Sequence, residues 1–308
     1  MNVRNLSAAR PETCDPESVQ VSLAVWNRAR LEPGVNADGT AMDWSADLRR
    51  EHLMRFLEAD MVEGLRAQIA ERAAQAPTDP EGFVAWFEAL KDNGPGQGDP
   101  LFPWLAKDAT LDQMKWFLTQ EAAGEAGFDD LVALTQIKMI PQAKLELARN
   151  YWDEMGRGSL GGMHGPMLDR TVEELDLHPS IEGTVIESLT LANAMTAMAT
   201  HRRYAYHSLG ALGVVELTAP GRVAQVAEGL KRLGAPPVAR KYFALHAVLD
   251  VEHSKAWNEE ALKPIVAERP ETAKWIAEGA LIRLTCGLAC FEAYRAHLWS
   301  PRAMLAAE

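Results

Sequence analysis

Cysteine is scarce in this sequence: Cys14, Cys286 and Cys290 are the only three in 308 residues. So odd and sparse a count excludes a disulfide framework and points to a reducing compartment. Cys286 and Cys290 fall at i, i+4 within LIRLTCGLACFEAY. That is the ordinary setting of two small buried side chains, with a CxxxC metal or redox pair as the sharper alternative. Long hydrophobic runs are missing too. No apolar stretch approaches the ~20 residues that cross a bilayer. The N-terminal MNVRNLSAARPETCDPESVQ holds no apolar segment of the kind a secretory leader needs, so a cytoplasmic location is expected. Basic residues are in the minority, 31 Lys and Arg against 43 Asp and Glu, with a formal net charge of −12. This argues against nucleic acid and anionic membranes as partners. It leaves the substrate open, because a local basic pocket can sit in an acidic protein.

Strand signals are absent as well. No segment alternates as a half-buried strand does, and the apolar pattern is helical nearly throughout. DWSADLRREHLMRFLEADMVEGLRAQIAERAAQA reads as one long amphipathic helix, ended by APTDPEG. Thr78 or Asp79 opens the next, with Pro80 near its first position. NGPGQGDPLFP, dense in Gly and Pro, is the clearest linker. Thr110 then caps TLDQMKWFLTQEAAGEAG, and QAKLELARNYWDEMG runs into a cluster of Gly156, Gly158, Gly161, Gly162 and Gly165. Further helices are expected in PMLDRTVEELDL, in the long stretch from Ser180 to Thr218, in GRVAQVAEGLKRLG, and in two segments between Pro236 and Trp299. Pro179, Pro220, Pro236, Pro237 and Pro270 mark the joints. No internal repeat or low-complexity tract is present. The expected architecture is all-α, with an N-terminal helical extension over about residues 1–100 packed on a core from about 101 to 308.

Within the segment ARKYFALHAVLDVEHSKAW stands His246-x-x-x-Asp250-x-x-His253. Side chains at i, i+4 and i+7 fall within a helical sector of roughly 60°. Two imidazoles and a carboxylate on one stripe are costly to bury without a partner, and a metal ion is a partner that satisfies all three. Tyr242, Phe243, Leu245, Val248 and Leu249 flank the stripe and argue for its burial. A carboxylate-rich metal site in a helical bundle draws further ligands from facing helices. Glu121 borders an apolar face, with Glu125 one turn on as its competitor; Glu154 follows Tyr151 and Trp152; His164 lies beyond the glycines; Glu216 is alone in HSLGALGVVELTAP. Taken singly, each has an ordinary reading as a solvated, salt-bridged or capping residue. The combination carries the metal reading.

In this order and spacing the residues resemble the haem-oxygenase-like di-iron oxidases and oxygenases, the iron-containing redox enzymes. The resemblance covers about residues 101–295 and runs through Glu121, Glu154 and His164, Glu216, and the motif His246, Asp250, His253 thirty residues later. It implies an all-α haem-oxygenase-like bundle without haem. It implies two Fe2+ ions held by those three histidines and four carboxylates, with O2 as co-substrate. The substrates it implies are amino acids, amines or fatty acids, transformed by N-oxygenation, C–C cleavage or desaturation. The expected partners are a small-molecule substrate, an external electron donor and a second copy of the chain in a homodimer.

Glu154 and His164 are ten residues apart, about 15 Å along an unbroken helix, so both reach one cluster only if the segment between them bends. The glycines make an irregular or mobile segment the expectation there. For substrate contacts the sequence offers THRRYAYH, whose Arg202, Arg203, Tyr206 and His207 are candidates to meet a substrate carboxylate, against a plainer reading as a basic, aromatic-packed face. The alternative functions are three. One is a metal-free enzyme or ligand-binding protein of the same fold, of the thiaminase-like or quinone-cofactor-forming kind, disfavoured by the lack of a cysteine near the ligand helices. Another is a helical scaffold with buried ion pairs, and the last a dizinc or dimanganese hydrolase.

Overall fold

The computed structural model describes residues 15–33 and 43–300. Among these residues there is no strand, and the chain is an all-α protein. In chain order the helices are α1 Pro16–Leu31, α2 Trp44–Ala73, α3 Pro80–Asn93, α4 Leu101–Lys107, α5 Leu111–Ala123, α6 Phe128–Thr135 and α7 Pro141–Glu154. They continue with α8 His164–Glu174, α9 Ile186–Thr200, α10 Ala205–Arg232, α11 Pro237–Ala256, α12 Lys263–Glu268 and α13 Thr272–Leu298.

Local chemistry sets most of these boundaries. Asp43 accepts the N–H of Ser45 at the start of α2, and Asp79, with Pro80 behind it, accepts that of Gly82 at the start of α3. Thr110 and Gln113 form a reciprocal capping box at the start of α5. The expected linker is shorter than its composition suggests, since Leu101, Phe102 and Pro103 already belong to α4. The stretch around Phe128, which shows little periodicity, nevertheless forms α6 after Gly127 turns in the left-handed region.

The stretch expected as one helix from residue 180 to 218 is two, α9 and α10, separated by a tight turn over Arg202–Tyr204. Pro220, expected at a joint, lies inside α10. It has no N–H to offer the carbonyl of Glu216 one turn earlier. Beyond α11 the helix widens into a π-turn over Trp257–Leu262, which seats the fully buried Trp257 against α10, its Nε1 donating to the Leu209 carbonyl at 3.2 Å.

α10 is the axis of the fold and packs along both α11 and α13. Its contact with α13 is backbone to backbone: a Cβ on Gly210 would overlap the carbonyl oxygen of Ile276, and one on Gly279 that of His207. Such closeness lets Leu209, Leu212, Ile276 and Ala280 fill one apolar cluster, to which α2 and α3 contribute Val62, Ile69, Phe83 and Phe87. A second cluster gathers Phe102, Phe117, Phe291 and Tyr294 from α4, α5 and α13. α1 packs on α9, where Asn27 and Asn193 hydrogen-bond at 2.9 Å.

Candidate metal centre

Four stretches of backbone deliver the polar residues of the interior. α7 ends at Glu154, with Asn150 and Asp153 in its last turns. The chain then turns twice through Gly156–Gly158 and Leu160–Gly162, and α8 starts at His164. The bend expected between Glu154 and His164 is therefore present. Gly156, Arg157 and Gly158 carry φ of 60°, 53° and 85°, and Gly156 lies so close to Gly162 that a Cβ would overlap it. α10 supplies Glu216, and α11 supplies His246, Asp250 and His253 from one stripe. These last four, with Glu154 and His164, are all buried. Of the apolar flank taken to bury the stripe, Val248 is instead on the surface, 72% exposed. Burial comes from the facing helices α8 and α10.

The ligand-type atoms form two groups that share one residue. Glu154, His164 and His246 each bring an atom within 4.8 Å of the others, and so do Glu154, Glu216 and His253. The rings of His164 and His246 meet edge to face with centroids 4.5 Å apart. The hydrogen bonds around them dispose of one nitrogen on two of the histidines. His246 Nδ1 donates to the Tyr242 carbonyl at 2.7 Å, which leaves Nε2 with its lone pair. His253 Nε2 bonds to Asp153 Oδ2 at 3.1 Å, which leaves Nδ1 facing Glu216. Asn150 Nδ2 donates to Glu216 Oε1 at 2.6 Å and so orients that carboxylate. This is the arrangement of outer partners that holds metal-binding imidazoles and carboxylates in place.

What remains is unsatisfied. His164 Nδ1 lies 2.8 Å from Glu154 Oε2 but is not aligned for a hydrogen bond, and His253 Nδ1 lies 3.5 Å from Glu216 Oε2. Both nitrogens and Asp250 Oδ1 are buried without a hydrogen-bond partner. Buried polar atoms are rarely left in this state, and each of the two groups holds one such nitrogen that a bound cation would satisfy. The electrostatics agree. Burial and the neighbouring Glu216 push the Asp250 carboxyl up to about 9. For His253 burial works downwards, but Glu216 and Asp153 raise it to about 9. Burial lowers His246. In this donor set a divalent cation would supply the positive charge that Asp250 otherwise obtains from a proton.

Glu154, Glu216, His246 and Asp250 open on a small chamber of ≈ 80 Å³, where Glu125 and Tyr242 also stand. Of the competing pair, it is Glu125 that lines this chamber. Burial pushes its carboxyl to about 7, although it accepts the N–H groups of Gly127 and Phe128 at 3.1 and 3.2 Å. Glu121 belongs to neither three-residue group; it accepts the Tyr294 hydroxyl at 2.9 Å in an adjoining chamber of ≈ 160 Å³. Both residues are exposed on these partly open chambers, and the protein packed around their carboxyls still raises them. The two chambers share Glu125, Tyr242 and the α10 stripe Val215, Ala219 and Val223.

The basic segment after α9 lines neither chamber. Arg202 donates to the carbonyls of Leu134, Thr135 and Ile137 at the end of α6. Arg203 is exposed beside Glu63, Tyr206 stacks on Trp275 with centroids 6.1 Å apart, and His207 Nε2 bonds to Glu278 at 2.9 Å. The cations that do face the larger chamber are Arg222 and Arg283, which sequence reading passed over. Their one sequence signal is that each is a lone cation in an otherwise apolar helical stretch. Cys286 and Cys290 are both free and buried, as their ordinary reading has it; Cys290 lines the same chamber, and burial pushes both thiols well above the ordinary range. Cys14 lies outside the described residues.

Two crystal structures of a CADD-like protein of unknown function from Nostoc punctiforme PCC 73102 are similar to this fold. The first has a TM-score of 0.50 at 17% identity, over 78% of this chain and 99% of that one. The second has a TM-score of 0.48 at 16% identity, over 78% and 96%. At these identities the likeness concerns the fold alone. No curated protein matches the chain. Residues 115–288 match the family model described as iron-containing redox enzyme, a stretch that runs from α5 to α13 and includes every residue of both groups around Glu154. That match spans more than half of the chain, and the protein belongs to the family of iron-containing redox enzymes, with their haem-oxygenase-like fold.

Proposed function

We propose that this protein is a non-haem di-iron oxidase or oxygenase. It uses O2 to oxidise a small organic substrate, an amino acid, an amine or a fatty acid, by N-oxygenation, C–C cleavage or desaturation. The single observation that carries this reading is the pair of buried three-residue groups joined at Glu154. Glu154, His164 and His246 would hold one ion, and Glu154, Glu216 and His253 the other. Asp250 stands beside both groups, and Glu125, which shares their chamber, takes the place expected for Glu121.

Bound Fe2+ would supply the redox chemistry with O2 that no side chain here provides. The rest falls to the protein. Asp153 and the Tyr242 carbonyl fix the tautomers of His253 and His246, so that each presents a lone pair. Asn150 holds Glu216 in one orientation. Phe128, Val215, Ala219 and Val223 keep the chamber largely apolar, which limits water around the oxidation. Electrons beyond those of the substrate would come from an external donor.

The test is anaerobic loading with Fe(II), metal counting, then rapid mixing with O2. Binding of about two irons per chain, lost in His246→Ala and Asp250→Ala, is the expected result. No iron uptake by the wild-type protein sinks the reading.

A further inference from the structure

The larger chamber poses a problem that the metal centre does not solve. It is walled by apolar and aromatic side chains, yet two guanidiniums face it: Arg222 from α10 and Arg283 from α13. Neither has a carboxylate within ion-pair distance among the described residues. Arg222 Nη2 donates to the Thr218 hydroxyl at 3.0 Å and makes no other hydrogen bond; Arg283 makes none. Aromatic faces support the first cation, with the Arg222 guanidinium 5.5 Å from the ring centre of Phe291 and 5.9 Å from that of Phe102. The second lies along its own helix where a side chain is missing: a Cβ at Gly287 would come within 2.8 Å of Arg283 Nη1. Two partly desolvated cations on one cavity repel each other, and a structure that holds them so invites an anion between them.

The acid groups nearby do not fill that role. Glu121 accepts the Tyr294 hydroxyl and Glu125 the N–H groups of Gly127 and Phe128, and neither carboxylate comes within ion-pair distance of the two arginines. Burial and Arg283 lower Arg222 to about 9, which still leaves it protonated at neutral pH. Two guanidiniums without an ion-pair partner among the described residues thus face one chamber inside a protein of net charge −12.

We infer that Arg222 and Arg283 anchor the carboxylate of a small acid substrate, whose apolar body points through the shared wall of Val215, Ala219 and Val223 towards Glu154, Glu216 and Asp250. This rests on the proposed oxidase reading and narrows its substrate from amines and acids to acids. The size of the chamber narrows it again. A cavity of about 150 Å³ holds benzene, and this one is ≈ 160 Å³ with ≈ 80 Å³ more at the metal residues. That suits an acid of about six to twelve non-hydrogen atoms. Arg222 follows Glu216 by six residues, about 9 Å along α10. The carboxylate is thus an anchor held away from the metal residues, and the group that reacts lies several bonds from it.

The experiment measures binding, without turnover, on the full chain as purified. Hexanoate and phenylacetate are titrated calorimetrically against their neutral amides, hexanamide and phenylacetamide. The acids should bind saturably and the amides at least tenfold more weakly. Arg222→Gln and Arg283→Gln should each weaken acid binding by about ten- to hundredfold, the worth of one charge-assisted contact, and bring acid and amide closer together. The Arg→Lys variants, which keep the charge, should recover part of the loss; they decide the matter if a Gln variant fails to fold. Equal binding of acid and amide, no saturable binding of either acid, or Gln variants that bind acid as the wild type does would each overturn the inference. Iron is counted separately on the wild-type protein, so a failure of the iron reading shows there and not in the acid-against-amide comparison.

Discussion

Asp153→Ala separates the two halves of the centre, because Asp153 touches one histidine and not the other two. Its Oδ2 holds His253 Nε2 at 3.1 Å, and its Oδ1 pairs with Arg157 at 2.5 Å. Removing the carboxylate frees the His253 ring to rotate and to place its proton on either nitrogen, so that Nδ1 presents a lone pair to Glu216 only part of the time. Loss of such an outer partner costs about 10- to 100-fold in metal affinity, or about 1.4–2.7 kcal/mol. The lower half of that range is expected here. His253 remains packed, only 6% exposed, and part of the Asp153 charge is already balanced by the exposed Arg157. The loss should fall on one position alone, the one formed with Glu216, while the group with His164 and His246 keeps its affinity. Anaerobic Fe(II) titration followed by calorimetry or equilibrium dialysis would then show one site as in the wild type and one weakened by about tenfold. Asp153→Asn keeps an oxygen that accepts from Nε2–H and should recover most of the loss. An Asp153→Ala protein that binds two irons with unchanged affinity refutes the role given to Asp153, and uniform weakening of both sites refutes the division of the centre at Glu154.

Three further outcomes are expected. Glu125→Gln should lower iron binding while Glu121→Gln leaves the iron count as it is, since only Glu125 shares the chamber of Glu154 and Asp250; the reverse pattern returns the ligand role to Glu121. Gly279→Ala should destabilise the fold by at least about 1–3 kcal/mol in urea unfolding, because its Cβ meets the His207 carbonyl and pushes α13 off α10; an unchanged midpoint contradicts the backbone contact. Stability should also fall with acid through the pair His207 and Glu278. Burial lowers His207 from its ordinary 6.5, and its own bond to Glu278 only partly offsets this. Despite opposing burial, His207 and Arg66 together lower Glu278 from 4.5. Both pKa values are depressed in the fold, so the unfolded chain takes up protons first. The stabilisation is complete above about pH 6.5 and is lost as pH falls through the folded values, first of His207 and then of Glu278. His207→Gln, which keeps a donor for Glu278 but does not titrate, should lose less of its urea midpoint between about pH 7.5 and 5 than the wild type does; equal losses dismiss the pair as a source of acid sensitivity.

The all-α class and the His246, Asp250, His253 stripe were legible because both rest on local periodicity, which burial in the fold does not change. The bend after Glu154 was legible for a different reason: ten residues cannot bring two ligands together on a straight helix, and glycines sat where the relief was needed. Two features were not legible, and each depends on tertiary contacts. Pro220 stays inside α10 because the helix is held along its length by α11 and α13, which outweighs the one hydrogen bond that the proline removes. The different surroundings of Glu121 and Glu125 come from the end of α5 at Ala123: the first carboxylate accepts the Tyr294 hydroxyl, and the second, past that end, lines the chamber of Glu154.

The arginines show the same limit from the other side. THRRYAYH drew attention because its charges are adjacent in sequence, yet Arg202 is occupied with the end of α6 and Arg203 faces solvent. Arg222 and Arg283 lie sixty-one residues apart and become neighbours only because α10 and α13 cross at two glycines. A binding pocket built from lone charges on separate long helices leaves no cluster in the sequence. Its trace is a single costly residue in each apolar run, and the cost becomes intelligible when the helices are packed and the two cations face one cavity. On this logic Glu216 and Arg222, both odd in the apolar length of α10, serve different chambers: the first opens on that of Glu154 and Asp250, and the second on that of Arg283.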